Sequence, residues 1–238
     1  MQGCFKSSLA GLREADSALP GRFYAAFFNY AIGLERLLKI ILLLDKWHHE
    51  RKFLTDDELR AKGHNVQKLY NDARPLFARY TVKWNPAYEP DKISSDLLSF
   101  LANFANGNRY YNLTALAGAL PCHAVDPIQT WEELLYRVYE QDVPNAEPIT
   151  LRENAEDPDF DWTHDVVVAA ASPYMCCRLV QLLAPLQRLL IAINRSVKED
   201  DFKLGGEATD PSIPPNMEEF LDFVCEDKAV ILQSQDWP

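Results

Sequence analysis

The chain has 238 residues, 47% of them hydrophobic and 11% aromatic, enough to bury a sizeable core and too aromatic for a disordered chain. Its net charge of −11 argues at first against a polyanionic partner. The charge is uneven, however: residues 140–165 carry −8 and residues 199–238 carry −9, which leaves +6 on the remainder.

The first strong pattern runs from Phe23 to Leu44, where Phe23, Phe27, Tyr30, Leu34, Leu37, Ile41 and Leu44 alternate spacings of four and three. That is one apolar face of a helix, and Phe28, Ile32, Leu38 and Leu42 widen it. A helix so broadly apolar is expected to pack on two sides, at the centre of a bundle or at a dimer interface. Glu35 and Lys39 mark its polar flank, and the adjacent His48 and His49 read as its solvated end. "TDDELRAKG" contains a capping box, Thr55 with Glu58, and a glycine stop at Gly63. Asn65 can cap the next helix, with Val66, Leu69, Tyr70, Ala73 and Phe77 inward and Pro75 bending or ending it.

Ser94 or Ser95 is expected to cap a helix through Leu97, Leu98, Leu101 and Phe104, stopped by Asn106 and Gly107. "WEELLYRVYE" reads as a short helix, and the acidic stretch behind it as an irregular surface insertion over residues 140–165. Ser172 and Pro173 suit the cap and first position of a long helix through Met175, Leu179, Leu182, Leu186, Leu189 and Ile193, kinked at Pro185. A Gly- and Pro-containing linker and a short helix, "NMEEFLDFVCE", complete the chain. The expected fold class is all-α: one helical domain over residues 1–198 and an acidic extension over 199–238.

Unbroken apolar runs such as "IILLL" are far too short to span a bilayer, and the N-terminus lacks a secretory core, so a cytoplasmic protein without a membrane helix is expected. Five cysteines at irregular spacing match neither a zinc module nor a disulfide framework. No phosphate-binding loop, nucleophile elbow or zinc-protease motif is present. Neither a cofactor nor a metal is expected.

The succession of "LERLLKIILL", "GHNVQKL" and "FANGNRYYNL" resembles helical-bundle proteins of the HEPN superfamily, over roughly residues 20 to 120. The resemblance implies an antiparallel bundle, often a homodimer, in a superfamily of RNA-cutting toxins, phage-defence effectors and inactive binding versions. Catalytic members pair an arginine with a histidine four to six residues later, whereas Arg109 is followed by Tyr110, Tyr111 and Asn112 and no histidine. On a catalytic reading Arg109 would stabilise a phosphate, His64 would be the general acid or base, and Asn112 would orient it. Asn65, Lys68, Tyr110 and Tyr111 would complete a site for RNA or a nucleotide. A structural reading stands beside it. Arg109 would then tie a helix end to Glu35 or Asp72, His64 would bond to backbone close to Arg109, and both tyrosines would be core. The alternative function is a non-enzymatic protein–protein interaction module.

Overall fold

The computed structural model describes residues 2–14, 20–82, 91–119, 125–146, 159–203 and 228–233. Among them the regular structure is entirely helical: α1 (Gln2–Arg13), α2 (Pro20–Glu50), α3 (Asp56–Ala61), α4 (Val66–Arg79), α5 (Lys92–Asn106), α6 (Tyr111–Leu116), α7 (Pro127–Asp142), α8 (Asp159–Lys203) and α9 (Lys228–Gln233). The short helix expected at residues 217–226 and most of the acidic insertion lie outside the described residues.

Helix α2 is the axis of the fold, and its apolar stripe of Phe23, Phe27, Tyr30, Leu34, Leu37, Ile41 and Leu44 is buried. Its neighbours run in both directions. Phe5 of α1 meets Tyr30 edge-on at 5.3 Å while Arg22 donates to the Glu14 carbonyl beyond α1, so α1 is antiparallel to α2. Phe100 and Phe104 of α5 contact Phe27, and Trp131 of α7 closes this aromatic cluster at 4.7 Å from Phe27. The Tyr30 hydroxyl donates to the Leu179 carbonyl of α8 at 2.6 Å, and His48 meets Asp200 further on, so α8 runs parallel to α2. Two-sided packing accounts for the breadth of the apolar face.

Local signals placed several helix ends correctly. Thr55 and Glu58 form the capping box, Asn65 accepts from the Lys68 amide, and α5 stops at Asn106 with Gly107 behind it. Others were displaced. Asp91, not Ser94 or Ser95, caps α5, because its carboxylate accepts from the Ser94 amide. Pro75 does not end α4, which continues to Arg79. Ser172 and Pro173 are interior to α8, which begins at Asp159, so residues 159–165 are helical and not part of an irregular insertion. Proline removes one intrahelical bond there, and the Ser172 hydroxyl donates back to the Val168 carbonyl at 2.7 Å. A stretch of α8, His164–Asp200, is long and apolar enough to cross a membrane, with a mean hydropathy of 1.6, yet 67% of its most apolar window is buried inside the protein. A central core helix has the same composition.

Candidate functional site

Gly107 ends α5, and the chain turns at once through a 3-10 turn, Asn108–Tyr110, into α6. Arg109 stands on this turn, with its guanidinium 4.9 Å from the centre of the Tyr110 ring. Its Nε is buried without a hydrogen-bond partner, and among the described residues no carboxylate pairs with it. Tyr111 and Asn112 lie beside Tyr24 of α2, and burial, then the neighbouring Asp126 and Tyr111, push the Tyr24 hydroxyl up to about 12. Asn112 is close enough to oppose that rise, although the buried Tyr24 hydroxyl makes no hydrogen bond of good geometry. The corner therefore holds a guanidinium, a phenol and an amide with unused hydrogen-bonding capacity.

Its rim is apolar. Tyr110 is 52% exposed, Leu113 64% and Leu116 86%, and none of the residues of α6 is buried. The expectation that Tyr110 and Tyr111 are core is thus corrected: Tyr110 is exposed and Tyr111 only half-buried, because the turn and α6 have too little contact with the body to cover them.

The second group of expected residues sits further along α2. Gly63 adopts φ 67°, a left-handed conformation that frees the chain to turn after α3. His64 follows, with Nδ1 3.1 Å from both carboxylate oxygens of Glu35 and an exposed ring. Glu35 also accepts from Lys39 at 2.7 Å. Burial alone would raise the Glu35 carboxyl, but these two partners outweigh it and hold it below its ordinary value. Asn65 is spent capping α4, Lys68 projects into solvent, and Asp72 pairs with Lys62 at 3.5 Å. Both carboxylates expected to receive Arg109 are therefore occupied by other cations, and His64 bonds to one of them rather than to backbone.

Arg109 and His64 do not close the same end of the protein. Tyr24, beside Tyr111 and Asn112 just after Arg109, and Glu35, beside His64, are eleven residues apart on α2, about 16 Å along a helix. The structure brings together Arg109, Tyr110, Tyr111 and Asn112 in one place and His64, Asn65 and Lys68 in another.

No family model, curated protein or solved structure matches this chain. The assignment of function therefore rests on the geometry and on the resemblance carried by the three sequence stretches. Among the described residues no group of three or more His, Cys, Asp or Glu side chains is placed to hold a metal ion.

Two polar clusters were not foreseen. Arg178, buried in the middle of α8, donates from Nε and Nη2 to Asp142 at 2.5 and 2.9 Å and from Nη1 to both oxygens of Asp91 at 2.9 and 2.8 Å. Burial would raise the Asp91 carboxyl, but the Ser94 amide and the Arg178 guanidinium hold it at about 2. This pairing ties α8 to the start of α5 and the end of α7. A lone arginine within "MCCRLVQLL" was the available signal, since a cation on an apolar face needs buried partners. The second cluster corrects the reading of His48 as solvated: its ring is half-buried, 3.0 Å from the Tyr80 hydroxyl and 2.9 Å from Asp200. Tyr80 in turn donates to Asp45, which also accepts from Arg79. Both clusters join helix ends, and their partners are supplied from within the protein.

Proposed function

We propose that this chain is a HEPN-like helical protein of a bacterial defence or toxin-related system that binds RNA or a nucleotide through the corner at Arg109. One observation carries the reading: a guanidinium that pairs with no carboxylate among the described residues and stands over a half-exposed tyrosine ring. Phosphate contact by a guanidinium beside an aromatic platform is how single-stranded RNA is held. The positive balance outside the two acidic segments supports it. Binding without cleavage is the form favoured, because a metal-independent phosphodiesterase mechanism needs its acid or base within reach of the phosphate, and His64 is engaged with Glu35 some distance along α2. A cytoplasmic homodimer fits the same reading.

Binding of a fluorescent single-stranded RNA by anisotropy tests it, wild type against Arg109→Gln, with melting temperatures measured in parallel. The expected result is about tenfold or greater weakening at an unchanged melting temperature. Equal affinities would remove Arg109 from the site.

A second reading, a protein–protein interaction module, is favoured by Leu113 and Leu116, which stand exposed on adjacent turns of α6. Leu116→Ser should abolish partner capture and leave RNA binding intact if that reading holds.

A further inference from the structure

The two groups of candidate residues are 16 Å or so apart along α2 yet lie on the same side of it. Eleven residues make just over three helical turns, so Tyr24 and Glu35 differ in direction by only about 20°. Phe28, four residues after Tyr24 and seven before Glu35, falls in the same sector and is 43% exposed, although α2 is otherwise an apolar core helix. An exposed aromatic ring thus stands between the Arg109 corner and the His64 turn.

The charges of this side are arranged with the same bias. Its carboxylates are engaged: Glu35 by Lys39 and His64, Asp72 by Lys62, and Asp126 by the Ile128 amide that it caps. Lys39 and Lys62 are spent on those carboxylates, and two cations are left over: Arg109 and Lys68 make no ion pair among the described residues, and Lys68 is exposed. Along α2 the order is therefore guanidinium with tyrosine, phenylalanine, then lysine beside the histidine turn.

We infer that this side of α2 is a continuous track for a few nucleotides of single-stranded RNA, with Tyr110 and Phe28 as stacking surfaces and Arg109 and Lys68 as phosphate contacts at its two ends. The inference rests on the RNA-binding reading and adds an occupant, a direction and two residues outside the corner. Stacking on aromatic rings tolerates any base, so the track selects strandedness and not sequence. A duplex, whose bases are paired and stacked on one another, offers no free face to Phe28.

The test uses the full chain and a labelled oligouridylate of nine nucleotides at low salt. Phe28→Ala and Phe28→Leu should each weaken binding about tenfold, and Lys68→Ala several-fold, with the melting temperature of Phe28→Leu unchanged because the apolar bulk is kept. A duplex of equal length should compete poorly. Wild-type affinity in both Phe28 variants and in Lys68→Ala, with binding still lost in Arg109→Gln, would overturn the track and leave the corner standing. Absence of binding by the wild-type chain would overturn both.

Discussion

Arg178 and Arg109 make a matched experiment, because both are arginines withdrawn from full solvent and, among the described residues, only Arg178 has carboxylate partners. Arg178 is 6% exposed and gives four charge-assisted bonds to Asp91 and Asp142. Arg178→Ala deletes the cation and leaves two carboxylates facing each other across the α5, α7 and α8 junction. Removal of one member of a buried ion pair costs about 3–5 kcal/mol. The Asp142 side chain is only 17% exposed, whereas that of Asp91 is 38% exposed and rehydrates more easily, which places the cost toward the lower end. With a urea dependence of about 2–3 kcal/mol per molar for a chain of this size, the midpoint should fall by roughly 1 M or more. Arg109→Ala strands no carboxylate among the described residues, and about 1 kcal/mol or less is expected, with a correspondingly small shift. Urea unfolding followed by circular dichroism compares the two directly. A loss at Arg109 equal to or greater than that at Arg178 would refute this assignment of roles.

Other consequences concern packing, acid and thiols. A Cβ at Gly33 would stand 2.9 Å from the Phe5 ring, so Gly33→Ala should cost about 1–3 kcal/mol by pushing α1 off α2, measured as a lowered melting temperature. The Asp91 carboxyl, held at about 2 against an ordinary 3.8, contributes stability that is complete above the ordinary value and is lost as pH falls through the lower one. Wild type should therefore lose stability relative to Asp91→Asn between about pH 4 and pH 2, and parallel curves over that window would contradict it. Burial pushes the Cys176 and Cys177 thiols up to about 12 and 11. Thiol labelling of the folded chain followed by mass spectrometry should leave both unmodified while the half-exposed Cys4 reacts.

What the sequence made legible is what is decided within a few residues. The α2 face, the Thr55–Glu58 box, the Asn65 cap and the Gly107 stop each need only near neighbours. Helix α1 went unread, although Phe5, Leu9 and Leu12 repeat the four-three spacing and are all buried. Residues 159–171 were masked by composition: acids suggested a solvated loop, and Ser172–Pro173 imitated a helix start in the middle of a helix. The site was legible as residue types and not as positions. Nothing local distinguishes an arginine with a carboxylate from one without, because the partners that matter lie 29 residues apart for His64 and Glu35 and 152 apart for His48 and Asp200. Exposure of Phe28 was hidden for the same reason, as the apolar pattern of α2 assigned it to the core.

The central claim, that Arg109 faces a polyanion and not the protein's own acids, is tested most directly by the salt dependence of RNA binding. For single strands the logarithm of the binding constant falls with the logarithm of salt concentration by about 0.7 per phosphate contact. Anisotropy titrations over a series of salt concentrations should give a shallower slope for Arg109→Gln than for wild type, by about 0.7, with the two chains melting together. Identical slopes would contradict the account, for they would mean that no phosphate contact was lost with the guanidinium.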